Sequence, residues 1–133
     1  MKIENFSFDG EGMTRVYENE KWTVGIKNWK PANDPSQIDN LERHLETDEL
    51  FILLNGRAIL LSGEEKAGKL VIEAVEMVPL KVYNIPKGLW HNTVSWKDTK
   101  YALIEDSNTG MANSEILSLK PEQLEELRKL LNS

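Results

Sequence analysis

The sequence predicts an all-β protein, a sandwich or barrel of short strands, with one helix at its C-terminus. Short β-prone runs recur along most of the chain, and turn-forming residues separate them at close intervals. The clearest helical pattern comes at the end, after Pro121. The pattern of runs and turns alone does not choose between a sandwich and a particular kind of barrel.

The strand-like runs follow one another from residue 14 onward. The runs 14–18 and 21–28 flank Asn19-Glu20, which predicts a hairpin. The segment 30–40 contains two prolines with several Asn and Asp residues and is typical of a loop. Further strands are predicted over 49–54, 57–61, 70–77, 80–85, 90–96 and 101–105, with a possible final strand over 116–119.

Two turns within this series have distinct sequence signals. Asn55-Gly56 separates the runs 49–54 and 57–61, and this pair favours a tight hairpin because both turn positions prefer a positive φ. The charged stretch 62–69 is predicted to be a flexible, solvated turn.

The C-terminal helix is predicted over about 121–132. Pro121 suits the first helical position, because the N–H groups of the first turn have no partner inside the helix. Glu125 faces Lys129 across one turn. One side of the helix is apolar and is expected to pack on the barrel or on a partner. This stripe consists of Leu124, Leu127, Leu130 and Leu131.

Composition limits the classes of function. A chain of 133 residues is expected to form one domain, residues 1–133. The net charge of -6 argues against a nucleic-acid partner. The apolar runs are too short for a membrane span, and the N-terminus does not resemble a secretory signal, so a cytoplasmic location is expected. The absence of cysteine excludes disulfides and thiolate metal sites.

The two histidines are the most informative functional signal. His44 and His91 are the only histidines in the chain, and each stands at the start of a strand-like segment. Glu42 precedes His44 by two residues, and Glu49 follows it by five. Two imidazoles and two carboxylates can hold one divalent metal ion, and Fe, Mn, Ni, Zn and Cu all accept such ligands.

Strand geometry supports the convergence of these side chains. Residues two apart on a strand point to the same face, so Glu42 and His44 are expected to project together. Glu49 has the opposite parity, and the intervening segment 46–48 must turn the chain before Glu49 can join them. A small barrel can bring these residues and His91 from separate strands to one interior point.

The same residues resemble the two sequence motifs of the cupin family. The first motif has Gly, a His-x-His pair, Glu and a closing Gly, and the second has Gly, a Pro-x-Gly turn, His and a final Asn. Six of the ten motif positions match this chain. They are His44, Glu49, Gly56, Pro86, Gly88 and His91.

Four positions depart from the family pattern. Ser36 and Leu80 replace glycines and Ser95 replaces the terminal Asn, which are common substitutions. Glu42 replaces the first His of the pair, and its role is open. It is a fourth, oxygen ligand, a catalytic general base beside a three-ligand metal, or a surface residue on a shifted strand. The parity argument favours the ligand role.

The resemblance implies a small bacterial RmlC-like cupin, a double-stranded β-helix or jelly-roll barrel with its motif-bearing core at about 36–105. It also implies a homodimer and a metal site formed by His44, Glu49 and His91. Aromatic residues near the motifs are candidates for the ligand pocket, although Trp90 can instead stack on the opposite face of its strand. These candidates are Phe51, Tyr83 and Trp90.

The predicted function is binding of one divalent metal ion and action on a small polar metabolite. Isomerase, lyase, hydrolase and dioxygenase chemistry all fit. The alternative is a non-catalytic cupin that binds or senses a small ligand without metal chemistry. A metal is favoured because buried carboxylates without a cation repel one another. Tyr101, Glu105 and Asn108 are weaker site candidates.

Overall fold

The structure is a computed structural model that describes residues 1–132, and it consists of two five-stranded antiparallel sheets and one α-helix. The strands are β1 Met13–Glu18, β2 Trp22–Asn28, β3 Asn40–His44, β4 Glu49–Asn55, β5 Ala58–Lys66, β6 Lys69–Glu76, β7 Val82–Ile85, β8 Trp90–Ser95, β9 Lys100–Asp106 and β10 Ser114–Ser118. The helix, α1, spans Pro121–Leu131. No helix within 1–132 has the length and apolar character that a membrane crossing requires.

The two sheets face each other and together enclose the interior of a barrel. The first sheet has the order β1-β2-β9-β4-β7, and the second has the order β10-β3-β8-β5-β6. The two motif segments contribute to both sheets, since β4 belongs to the first while β3 and β8 belong to the second. The predicted fold class, an all-β jelly-roll barrel with a C-terminal helix, is confirmed.

The hairpin predicted at Asn55-Gly56 is wrong, because β4 and β5 belong to different sheets. The pair forms a crossover between the sheets instead. Gly56 has a φ of +71°, and an added Cβ would lie 2.7 Å from the carbonyl oxygen of Asp98. Asn55 Nδ2 donates a hydrogen bond to that same oxygen over 2.8 Å. The Asn-Gly pair specifies a tight turn, but it does not determine whether the strands before and after the turn pair with each other.

The hairpin lies one turn later, at Ala67-Gly68. Both residues have positive φ angles, 53° and 77°, as a two-residue hairpin turn of this kind requires. The pairing between β5 and β6 runs up to Lys66 and Lys69. The stretch 62–69, predicted as a turn, is therefore mostly strand, and its charged residues lie on an exposed strand end.

Two hydrophobic clusters lie on opposite faces of the second sheet. Alternation along β5 separates them, since Ile59 and Leu61 point to one face and Ala58 and Leu60 to the other. The outer core consists of Ile38, Leu41, Ile59, Leu61, Leu70, Ile72, Val94, Leu119 and Leu127. The inner core, between the sheets, consists of Phe51, Leu53, Ala58, Leu60, Met77, Ile85, Tyr101 and Leu103.

Helix α1 covers the outer core. Leu127 is fully buried there, and the rest of the predicted apolar stripe packs around it. Arg128 ties the helix to the loop before β3 by donating to the carbonyl oxygens of Pro35 and Ile38, at 2.9 and 2.7 Å. The helix thus packs on the barrel and supports the sheet whose inner face carries both histidines.

Candidate metal centre

A cavity of about 280 Å³ lies between the sheets, above the inner core. Both histidines line it together with three glutamates. The acidic and imidazole side chains of this lining are Glu42, His44, Glu49, His91 and Glu105.

Strand register explains how these side chains meet. Glu42 and His44 share one face of β3, as their spacing predicts, and both line the cavity. His91 is the direct partner of Glu42 on β8. Glu49 begins β4 in the opposite sheet, after the chain has turned through the segment 45–48. The site is therefore assembled from both walls of the barrel.

The turn at Pro86–Gly88, which belongs to the second motif, is hydrogen-bonded to the end of β3, the strand that carries His44. Gly88 has a φ of +84°, a conformation that glycine adopts without strain. Its N–H donates to the carbonyl oxygen of His44 over 2.8 Å. Asp48 accepts a hydrogen bond from the Lys87 N–H over 2.9 Å. One short turn therefore fixes the main chain beside both imidazole-bearing strands.

Glu49 lies between the two imidazole rings. Its Oε1 atom is 3.3 Å from His44 Nε2 and 3.1 Å from His91 Nε2. The ring centroids are 5.2 Å apart and the rings meet edge-to-face. Glu49 and His91 are buried, with 5% and 2% of their surface exposed.

The tautomer of His91 makes the contact with Glu49 unusual. A carbonyl oxygen only accepts, so His91 Nδ1 must donate the 3.1 Å hydrogen bond to the Leu89 carbonyl. In the neutral ring, Nε2 is then a bare acceptor that faces a carboxylate oxygen. Two acceptors at this distance need a proton or a cation between them. The donor set fits a divalent metal ion, because neutral imidazole and carboxylate are both metal ligands.

His44 is oriented in a similar way. Its Nδ1 atom lies 2.9 Å from the Ser114 hydroxyl, which leaves Nε2 directed toward Glu49. Metal-ligating histidines typically form a hydrogen bond of this kind through the ring nitrogen that does not bind the metal, which here is Nδ1.

Glu105 lines the cavity, although the sequence pattern identified it only as a weaker candidate. Its Oε2 atom lies 3.8 Å from His44 Nε2 and is buried without a hydrogen-bond partner among residues 1–132. Its Oε1 atom lies 3.6 Å from Arg15. The available signal was alternation along β9, because Tyr101 and Leu103 are apolar residues of the same parity.

The pKa values of Glu49, His44 and Glu105 depend on one another. Burial alone would raise the pKa of Glu49, but hydrogen bonds from His44 and His91 outweigh it and lower the pKa to about 2. The hydrogen bond with Glu49 raises the pKa of His44. Burial and the nearby Glu49 charge raise the pKa of Glu105 to about 8. Without a metal ion, the surroundings favour the ionised form of Glu49 and disfavour the ionised form of Glu105.

Two overlapping sets of side chains have their ligand atoms within 4.8 Å of one another. One set is Glu42, His44 and His91, and the other is His44, Glu49 and Glu105. His44 belongs to both, which places it at the centre of the cluster.

The predicted pocket residues separate into two groups. Phe51 lines the cavity, with its ring centroid 6.4 Å from that of His91. Tyr83 does not line it, because it packs against the inner core and its hydroxyl accepts the Val78 N–H. Trp90 lies against the outer core and stacks under Arg43, 4.3 Å from the ring centroid. The stacking alternative for Trp90 is the one that the structure shows.

Comparison with known proteins identifies the fold. No protein-family model matches the sequence, and the comparison with curated proteins found no match. Pac13 from Streptomyces, a nucleoside dehydratase, aligns over 91% of this chain and 96% of its own, with 9% identity and a TM-score of 0.59. A cupin-2 domain protein from Shewanella frigidimarina aligns over 74% and 84%, with 18% identity and a TM-score of 0.54.

A third similar structure is the capsular polysaccharide assembling protein CapF from Staphylococcus aureus. It shares 15% identity over 87% of this chain, with a TM-score of 0.56, and the chain spans only 31% of CapF. At these identities the likeness shows the fold alone. The chain has the cupin fold, as its motif residues predict.

Proposed function

We propose that this cupin-fold protein binds one divalent metal ion in its barrel and acts on a small polar metabolite. The proposed ligands are His44, Glu49 and His91, with Glu42 as a fourth. The supporting observation is that the Nε2 atoms of His91 and His44 both face one oxygen of Glu49, at 3.1 and 3.3 Å. A cation bound at His44, which belongs to both sets of donors within 4.8 Å of one another, would bring these facing atoms toward coordination.

A bound divalent ion supplies Lewis-acid polarisation of a substrate oxygen. The chain's own residues position that chemistry. The Leu89 carbonyl and the Ser114 hydroxyl fix the two imidazole orientations. Phe51 gives the cavity an apolar side that excludes water. Iron, manganese, nickel and zinc all suit this donor set.

Glu105 is the proposed proton carrier of the site. Its Oε2 atom is buried beside His44 and has no hydrogen-bond partner among the described residues 1–132. The positive field of a bound cation lowers its pKa and leaves Glu105 ready to accept a proton from a ligand in the cavity. Proton transfer next to a polarised oxygen is the chemistry of isomerases and lyases, which we therefore favour over the other reaction classes.

Metal analysis of untagged protein tests the proposal. We expect about one metal ion per chain in wild type and its loss in His44→Ala, His91→Ala and Glu49→Gln. Glu64→Gln, which alters an exposed glutamate on β5, is the matched control and should keep the metal. A trace of metal that neither histidine substitution changes would contradict the proposal.

A metal-free binding protein is the second candidate. One observation favours this candidate. Three basic side chains line the same cavity as the three glutamates, and their positive charges can balance the carboxylate charges without a metal ion. Thermal-shift measurements separate the candidates. A ligand that stabilises the metal-stripped and metal-loaded protein equally supports simple binding.

We also propose that this single-domain chain forms a homodimer. β7 and β6 are each one of the two edge strands of their sheets, and their outer edges have no strand partner within residues 1–132. Apolar side chains are exposed on and next to these strands. They are Val75, Val78, Leu80 and Val82. Light scattering at several concentrations tests the dimer. The cytoplasmic location and the absence of nucleic-acid and membrane partners stay predictions.

A further inference from the structure

The cavity has a basic wall that the proposed metal site does not use. Arg15 on β1, Lys27 on β2 and Lys30 just beyond β2 all line it. These strands form one side of the first sheet, whereas both histidines lie on the second sheet. The cavity therefore combines a cluster of imidazoles and carboxylates with separate cationic groups.

Arg15 is already engaged by the protein. It donates to the Thr109 carbonyl oxygen over 2.6 Å and lies 3.6 Å from Glu105. A further ion pair joins it to Glu18 at 3.7 Å. Its charge holds Glu105 and the loop after β9 in place.

Lys27 is different, because it has no ion-pair partner among residues 1–132. It pairs with Tyr101 in the sheet, and its ammonium lies 6.0 Å from the Tyr101 ring centroid. Burial lowers the pKa of Lys27 to about 8. Lys30 also lacks an ion-pair partner in the described chain. A half-buried ammonium without an ion-pair partner would be stabilised by an anion placed beside it in the cavity.

The charged side chains that line the cavity indicate how many negative charges a ligand should carry. With a metal ion bound and Glu105 ionised, the three glutamates of the lining balance its one arginine and two lysines. A divalent metal ion adds two positive charges that nothing in the lining neutralises. Since an uncompensated charge in a buried site is costly, the loaded cavity favours a ligand with two negative charges.

We propose, on the basis of the proposed metal site, that the substrate is a small dianion, a dicarboxylate or a phosphate ester. One anionic group meets the metal, and the second pairs with Lys27, which sets specificity, with Lys30 in support. The cavity of about 280 Å³ is just below the range of about 300–1,000 Å³ typical of ligand sites, which limits the ligand to a short carbon chain. Phe51 and Leu103 offer apolar contact for such a chain.

Calorimetry on the Mn²⁺-loaded protein tests this inference with three probes: succinate, its uncharged analogue succinamide, and inorganic phosphate. Lys27→Gln removes the charge and Lys27→Arg keeps it. Lys66→Gln, at the exposed end of β5, is the control for loss of a lysine elsewhere. Mn²⁺ binding is measured separately in every variant, and thermal melts confirm that each one folds.

We expect succinate or phosphate to bind wild type and succinamide not to bind. Succinate binding identifies a carboxylate ligand, and preferential phosphate binding identifies a phosphate ester. Lys27→Gln should weaken anion binding at least about tenfold, a larger factor than any change in Mn²⁺ affinity, because it removes one partner of a partly desolvated charge pair. Lys27→Arg and Lys66→Gln should stay close to wild type.

The results separate this inference from the proposed function. Normal Mn²⁺ binding with no anion binding, or with an affinity that Lys27→Gln does not change, would overturn the inference and leave the metal site standing. Absence of Mn²⁺ binding together with Lys27-dependent succinate binding would reject the metal site and support the anion site.

Discussion

The two faces of the second sheet use the same strands for different purposes. On β8, Val94 points outward into the apolar outer core, whereas His91, Thr93 and Ser95 point inward. The outer face is sealed by α1, and the inner face opens into a cavity lined by ionisable groups. A strand that carries costly polar groups on one side is held in place by burial of its other side.

The faces also differ in how completely their polar atoms are satisfied. On the inner side, the Thr93 and Tyr101 hydroxyls share a hydrogen bond of 2.7 Å. Glu105 Oε2 and Thr109 Oγ1, which line the cavity, have no partner within residues 1–132. Buried groups without partners are uncommon in folded proteins and tend to mark functional sites. The outer core is built from apolar side chains and carries no such group.

The largest expected effect on stability comes from the outer face. Leu61→Ala removes a fully buried side chain and should lower the free energy of unfolding by about 2–5 kcal/mol. Urea denaturation measures this loss. Metal content per folded chain should stay at the wild-type value, and its loss would show that the faces are not independent.

The complementary substitution on the inner face is His91→Ala. We expect metal affinity to fall at least about 100-fold, because even outer-shell partners of a ligand contribute 10–100-fold. Metal titration with a competing chelator measures the change. Stability of the metal-free protein should fall less than in Leu61→Ala, because the burial cost of the Glu49 charge already offsets part of what the His91 contact contributes.

The crossover between the two sheets at Asn55-Gly56 provides a third test. Gly56→Ala places a Cβ 2.7 Å from a backbone oxygen at a φ of +71°, and it should destabilise the protein by about 1–3 kcal/mol. Gly68→Ala is the matched control, because its φ is +77° but no atom lies within 4 Å. Its loss should be smaller, at about 1 kcal/mol. Equal losses in urea denaturation would mean that close packing at the crossover adds nothing.

A pH series sharpens the description of the inner face. The pKa of Lys27 is lowered to about 8 in the folded protein from 10.5, so the unfolded chain binds more protons between these values. The penalty for burying the charge is complete below pH 8 and disappears as pH rises to 10.5. Wild-type stability should therefore rise relative to Lys27→Gln across this window, by less than about 1.4 kcal/mol per pH unit. If urea denaturation shows the same stability difference between wild type and Lys27→Gln at every pH in this window, the Lys27 ammonium is exposed to solvent.

The smallest expected effect is an increase in stability outside both cores. Leu80 has a φ of 68° and is 82% exposed, so its side chain contributes little packing and its backbone is strained. The cupin motif has glycine at this position. Leu80→Gly should raise the free energy of unfolding by about 0.5 kcal/mol, the relief of strain less the extra chain entropy of glycine. A loss of stability would show that Leu80 makes a contact of value, such as one across a dimer interface.

Residue spacing predicted which side chains meet at one cavity, and sheet order decided which others join them. The motif spacing identified His44, Glu49 and His91, and strand parity predicted that Glu42 would point inward with His44; all four line one cavity. Glu105 was undervalued because a single acid at a strand end says nothing about its neighbours until β9 is known to lie between β2 and β4.

The wrong predictions have a related cause. Asn55-Gly56 specifies a local backbone conformation, and the strand that follows was free to join either sheet. Trp90 and Tyr83 were assigned to the pocket by proximity to the motif, yet β8 alternates and sends Trp90 to the outer face. Local chemistry fixes the turns, whereas the choice of pairing partner depends on long-range packing.

The hydrogen bond from the Gly88 amide to the His44 carbonyl has an evolutionary consequence. It ties the main chain of one imidazole-bearing strand to the turn that introduces the other, without help from any side chain. This main-chain contact does not depend on which side chains line the cavity. Such a scaffold tolerates exchange of a neighbouring donor, and the glutamate at position 42 in place of the usual histidine is an exchange of this kind.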